Sequence, residues 1–267
     1  MNIIPCYQTN STCYKGTTKG VPVGICWHDA ASGNPWLKRW VQPADNDPDR
    51  EALLRLLGKN LNGNDWNHKP KNTGVNAVIG KLASGAVATV QSMPWDFRPW
   101  GVGKGAKGSL NGDKPNDAGE PQPFWIQFEI ADDAWSNAAR NYTLGKRDYC
   151  EAVYREAVEL TAYLCGLYGI DPAGTYTYKG VKVPTILCHK DAHALGFGSD
   201  HKDVDMWFAH YGLSMAKARQ DVNKAVRAAS TKIYRVQVGA FRNPDYAASY
   251  LQQVRRHFPD AYIKADK

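Results

Sequence analysis

Ile186-Leu187-Cys188-His189 runs on as Lys190-Asp191-Ala192-His193 and then Gly196-Phe197-Gly198-Ser199-Asp200-His201-Lys202-Asp203. A short apolar run delivers a histidine at its end, and a glycine-bearing loop brings back His201 and Asp203, two residues apart. A single histidine after an apolar strand is usually a hydrogen-bonded core or rim residue. Here three histidines and three aspartates share one short window beside glycines, which is how a site at a strand end reads in sequence. Imidazole and carboxylate together form the ligand set of a catalytic zinc that keeps one position open. One further ligand from far away would complete three, and His28, at the end of the apolar run 21–27, is the candidate. His189 and His193 have the spacing of a helical metal pair. Gly196 and Gly198 follow at once, however, and the H-E-x-x-H context is missing, which argues against a helical pair.

Working outward, residues 21–27 are β-branched and apolar and predict a buried strand. Residues 35–41 predict a turn of helix or irregular rim, and 50–57 a short helix within an Asn-, Asp-, Gly- and Pro-rich region. Residues 75–80 and 86–91 predict two strands joined by a turn at Ala83-Ser84-Gly85. Residues 124–130 form an apolar strand with one acid, Glu129. Such an acid costs free energy unless it is paired or sits where the strand opens into a cleft. The clearest helix spans 148–168, with Cys150, Val153, Ala157, Leu160 and Leu164 at spacings of three and four, and Gly169 stops it. Residues 183–188 are the strand that presents His189, and 214–229 form a second amphipathic helix. Cys26 and Cys188 are expected to turn into the core, away from the histidines.

The chain of 267 residues is long for one domain and short for two, so a main domain with a small module is expected. No apolar run reaches membrane-spanning length, and the N-terminus reads as lacking a signal peptide. The six cysteines match no metal-binding spacing, Cys6 and Cys13 alone are near enough to suggest a clip, and reduced thiols are expected. The net charge of +7 is unevenly placed: residues 211–267 hold 11 Lys+Arg against 4 Asp+Glu, and the remainder is neutral. A basic tail on a neutral body suggests an anionic polymer as partner. No basic–aromatic motif of a nucleic-acid-binding module accompanies it, so nucleic acid is not the expected partner.

Cys188-His189 followed by Ser199-Asp200-His201-Lys202-Asp203 and Trp207 resembles the C-terminal signature of the zinc-dependent N-acetylmuramoyl-L-alanine amidases, amidase type 2, in the form found in phage and prophage endolysins. The opening is similar too: Cys13-Tyr14-Lys15, Gly24-Ile25-Cys26-Trp27-His28, Asn34-Pro35 and Lys38-Arg39-Trp40-Val41-Gln42-Pro43. The resemblance covers about residues 3 to 222. It implies an α/β fold with a mixed central β-sheet flanked by helices, and a catalytic domain over 1–213 followed by a helix and linker over 214–231. It also implies hydrolysis of the amide between N-acetylmuramic acid and the L-alanine of the stem peptide by a zinc-activated water. The implied roles are His28, His189 and Asp203 as Zn²⁺ ligands, Glu129 as the base, and His201 steadying the oxyanion. Gly101 and Asn76 stand where the family usually carries histidines, and Asp200 and Lys202 replace commoner Asn and Gly, so substrate contacts are expected to differ.

Residues 234–241, Tyr-Arg-Val-Gln-Val-Gly-Ala-Phe, resemble the start of a SPOR module, a peptidoglycan-binding domain of two βαβ halves. One half is present, over 232–267: a strand at 233–238, a helix at 244–256 and a closing strand at 261–264. So small a unit can hardly bury enough surface alone, which predicts a homodimer through residues 232–267. The resemblance makes bacterial peptidoglycan the partner, reached from the cytoplasm by lysis or non-classical export. The alternative is a non-catalytic peptidoglycan-recognition module, which would have lost a ligand. All three ligand positions are filled here.

Overall fold

The apolar run that begins at Val21 becomes an inner strand of a six-stranded sheet in the computed structural model of the chain. The structure describes residues 3–16, 19–112, 114, 122–201, 203–230 and 239–255. In chain order the elements are β1 (Ile3–Pro5), α1 (Thr12–Gly16), β2 (Val21–Asp29), a 3-10 turn at Leu37–Arg39, α2 (Arg50–Leu57), β3 (Ala77–Lys81), β4 (Val87–Gln91), β5 (Pro123–Ile130), β6 (Trp135–Ser136), β7 (Asn141–Tyr142), α3 (Arg147–Tyr168), β8 (Thr175–Tyr178), β9 (Val181–Pro184), β10 (Ile186–Cys188), α4 (His189–Ala194), α5 (Asp205–Ala209), α6 (Met215–Ser230) and α7 (Pro244–Arg255). The sheet order is β1-β4-β3-β5-β2-β10, with β3 and β4 antiparallel and every other pair parallel. This is the mixed α/β sheet flanked by helices that the sequence leads one to expect.

Two faces follow from the alternation of side chains along the strands. On one, Ile25 and Trp27 of β2, Phe124, Ile126 and Phe128 of β5 and Ile186 and Cys188 of β10 meet Cys150, Val153, Ala157, Leu160 and Leu164 of α3. Met215, Ala218 and Val222 of α6 join the same core. The helix ends where Gly169 takes a left-handed φ of 64°, a conformation that costs glycine no Cβ clash. Leu164 is fully buried, so Leu164→Ala is expected to cost about 2–5 kcal/mol, read from chemical denaturation.

On the opposite face, two smaller apolar clusters leave a polar strip between them. One gathers Leu37, Trp40, Val41, Leu57 and Val78; the other gathers Cys26, Val102, Leu110, Trp125, Leu187 and Phe197. Cys26 corrects the sequence expectation. It lies two residues before His28 on one strand, so alternation puts both on the same face, and only Cys188 turns away from its histidine. All six cysteines are buried and free, and the Cys6–Cys13 clip is not formed.

The strand expected over 183–188 is two strands. Val181–Pro184 pairs antiparallel with Thr175–Tyr178 in a separate hairpin, and only Ile186–Cys188 joins the main sheet, beside β2. Pro184, which has no N–H to give a ladder, marks the break. The Thr185 hydroxyl fills it by donating to the Asp171 carbonyl at 2.6 Å.

The chain divides into two units, Met1–Ala229 and Ser230–Lys267. In the second, α7 is described, with Phe241 and Tyr250 ring centroids 5.3 Å apart. The strands expected over 233–238 and 261–264, and the homodimer built on them, lie outside the described residues. Size-exclusion chromatography with light scattering is expected to show a dimer for the full chain and a monomer for a chain ending at 230. A full chain that stays monomeric at high micromolar concentration refutes the pairing. No described helix is long and apolar enough to cross a membrane.

Candidate metal centre

The parallel register brings the candidate residues into line. His28 of β2 stands opposite Glu129 of β5. Cys188 of β10 stands opposite Trp27, so His189, the next residue, arrives level with His28. These positions lie at the carboxyl ends of parallel strands, where α/β sheets open their clefts. Asp203 comes from the loop after α4. His28, His189 and Asp203 are all buried and offer donor atoms within 4.8 Å of one another. His201 is exposed, with its ring centroid 4.6 Å from that of His189.

The two imidazole nitrogens and the two Asp203 oxygens lie near the spacing of a tetrahedron's edges. His28 Nδ1 lies 3.2 Å from His189 Nδ1 and 3.3 Å from Asp203 Oδ2, and His189 Nδ1 lies 3.6 Å from Asp203 Oδ1. Tetrahedral zinc with bonds of about 2.0–2.1 Å to nitrogen and oxygen requires edges of roughly 3.3–3.4 Å. The group therefore suits zinc in chemistry and lies near the required size, and three donors would leave a fourth position open.

The electrostatics agree. Burial would raise the Asp203 carboxyl, but hydrogen bonding to His189 and His28 outweighs it and holds the group below the usual carboxylate range. Burial, reinforced by neighbouring His28, lowers His189, which keeps the ring neutral and able to ligate near neutral pH. Glu129 moves the other way. Burial, then the charges of Asp203 and Asp132, push its carboxyl well above the ordinary value. Its Oε2 is sealed from solvent and has no hydrogen-bond partner among the described residues.

His189 opens α4, so His189 and His193 do share a helical turn, contrary to the sequence expectation. The glycines end that helix rather than prevent it. His193 nevertheless stays out of the donor group, with Nδ1 3.1 Å from the Gly198 carbonyl and Nε2 3.7 Å from Asp200. Asp191 accepts from the Cys188 backbone N–H at 3.3 Å and so caps α4 one residue before the ligand. Arg219 of α6 grips the same corner, donating to Asp191 Oδ2 at 2.6 Å and to the Ile186 carbonyl at 2.8 Å.

Several supporting residues carry no motif. The 101–110 loop closes on the ligand loop: Ser199 N–H donates to the Val102 carbonyl at 3.0 Å, and Lys107 N–H to the Gly196 carbonyl at 2.7 Å. A Cβ on Gly105 would stand 2.6 Å from the Gly196 carbonyl oxygen, so the approach requires glycine. Gly101, where the resembling family has a histidine, donates its N–H to Gln127 Oε1 at 2.9 Å. Asn76, the other departure, is buried and ties β5 to the 94–97 turn, accepting from Gln127 N–H and donating to the Pro94 and Phe97 carbonyls. Asp132 accepts from the backbone N–H groups of Ser32, Gly33, Ala134 and Trp135, locking together the loops that follow β2 and β5. Tyr142 donates to Asp29, the neighbour of His28. Asp29 is the last residue of β2, a buried acid at a strand end, which is the one sequence hint of this contact.

No protein-family model matches the sequence, and no curated protein matches it. Among solved structures, the Staphylococcus aureus hydrolase AmiA, in complex with its ligand, is similar at 15% identity and a TM-score of 0.51, covering 87% of each chain. The catalytic domain of XlyA is similar at 13% identity and a TM-score of 0.44, covering 83% of this chain and 99% of that one. The catalytic domain of PlyG is similar at 12% identity and a TM-score of 0.41, covering 89% of this chain and all of that one. At such identity the likeness to AmiA is one of fold alone.

Proposed function

We propose that the chain is a zinc-dependent peptidoglycan hydrolase that cleaves the amide between N-acetylmuramic acid and L-alanine of the stem peptide. The observation that carries the reading is the His28–His189–Asp203 donor set, spaced as zinc needs it at the open ends of parallel strands. The substrate class rests on the motif resemblance, and the fold shared with the hydrolase AmiA supports it. When bound, zinc supplies Lewis-acid activation of a water and of the scissile carbonyl. Glu129 takes the proton of the attacking water and passes it to the leaving amine, and burial, with Asp203 and Asp132 nearby, raises its carboxyl in the direction that favours holding that proton between the two steps. His201 stands beside His189 at the rim of the site, and partial desolvation and neighbouring His189 lower its pKa, so it donates to the developing oxyanion from a neutral ring.

Metal analysis of the purified chain, together with mass spectrometry of digested peptidoglycan, tests the reading. About one zinc per chain and stem peptides with a new N-terminal L-alanine are expected. A chain that holds no zinc and releases no such peptides, yet sediments with cell walls, is a recognition module instead. Because Arg219 holds the corner that delivers His189, Arg219→Ala should weaken zinc affinity about 10-fold, measured against a chromogenic chelator.

A further inference from the structure

Ser199 lies between two histidines of the site and is hydrogen-bonded to both. Its Oγ is 3.2 Å from His189 Nε2 and 3.0 Å from His201 Nδ1, with the Val102 carbonyl at 3.3 Å. The backbone fixes the hydroxyl in place. Ser199 N–H donates to the Val102 carbonyl, and Gly103 leaves room beside it, since a Cβ there would stand 2.6 Å from Oγ.

We propose that the Ser199 hydroxyl sets the tautomers of His189 and His201 together, making Ser199 a positioning residue for the metal ligand and for the oxyanion donor. The inference rests on the zinc reading for its first half. His189 turns Nδ1 toward His28 and Asp203, so a ligating His189 carries its proton on Nε2, and Ser199 Oγ accepts it. A hydroxyl has one proton to give. The nearer of its two acceptors is His201 Nδ1, and the Val102 carbonyl already accepts the Ser199 N–H. Donation to Nδ1 leaves His201 with its proton on Nε2, the nitrogen free to meet a substrate oxygen. One hydroxyl thus connects a ligand with a group that acts on the substrate, and the relay needs no charged histidine.

The test uses the full chain labelled with ¹⁵N at histidine, at a pH where both rings are neutral. Long-range ¹H–¹⁵N correlations distinguish the two neutral tautomers. In the zinc-loaded wild type both His201 and His189 are expected as the Nε2–H tautomers. Ser199→Ala should mix the His201 tautomers and lower zinc affinity about 10- to 100-fold, with circular dichroism unchanged. A purely structural serine would shift the melting temperature and leave the tautomers alone. Wild-type His201 in the Nδ1–H form overturns the proposal, as does a Ser199→Ala chain with wild-type tautomers and wild-type zinc affinity. A wild type that binds no zinc overturns the metal reading and the His189 half with it. In that case a Ser199→Ala chain whose His201 tautomers match those of the wild type overturns the other half.

Discussion

Asp203→Ala is expected to purify without tightly held zinc and without muralytic activity. The carboxylate is the one anionic member of the donor set, and hydrogen bonding to two imidazoles keeps it ionised despite burial. Its loss leaves two imidazole nitrogens 3.2 Å apart, which bind a divalent ion far more weakly than three donors do. Losing the Lewis acid removes several kcal/mol of transition-state stabilisation, a fall of about 10³-fold or more in turnover. Asp203→Asn preserves the shape and should behave alike, which separates charge from packing. In the wild type, zinc affinity should fall at acid pH, because the proton competes with the metal for His189, whose pKa burial lowers. Inductively coupled plasma analysis and turbidity assays on the same samples check both statements. Full zinc and full activity in Asp203→Ala would move the ligand to Asp200 or His201.

The same geometry explains how much of the site was legible in the sequence. His28 is the next-to-last residue of β2 and His189 follows β10 directly, and a strand that enters a sheet delivers the residues at its end to the edge. The strand register then does what no motif states, placing His28, Glu129 and His189 in one row. The α3 core was legible because a 22-residue amphipathic helix has a strong period. Other contacts were not. Helix α4 is only six residues long and ends in glycines, so its pattern is too short to separate from a loop. The Arg219–Asp191 contact joins residues 28 apart, and Asp132 binds loops a hundred residues apart through backbone N–H groups of no particular residue type. Such contacts depend on tertiary placement, which local spacing does not encode. Cys26 shows the opposite case, since strict alternation from His28 already places it on the histidine's face.

Glu129→Gln is expected to keep zinc, lose turnover and gain stability. The amide has nearly the shape of the carboxylate but cannot take the water's proton, and general-base catalysis contributes roughly 10²–10⁴-fold. Glu129 is not in the donor group, so metal content should remain near wild type. The stability gain follows from the environment. Burial, with Asp203 and Asp132 nearby, raises the carboxyl well above its ordinary value, and Oε2 has no partner among the described residues. A raised folded-state pKa means that the folded chain binds the proton more tightly than the unfolded chain. Its contribution is fully present below the unfolded value and is lost as pH rises toward the folded one. Metal-free wild type should therefore lose stability as pH rises above the ordinary glutamate range, and metal-free Glu129→Gln should lack that part of the slope. At neutral pH the variant should melt at the higher temperature, as expected when a group tuned for chemistry is retained at a cost to the fold. Melting curves of both chains across pH, with zinc removed, provide the comparison, and single-turnover cleavage assays provide the rate. Zinc loss in the variant would put Glu129 among the ligands, unchanged turnover would remove it from the mechanism, and parallel pH–stability curves would show that its carboxyl is solvated like any surface glutamate.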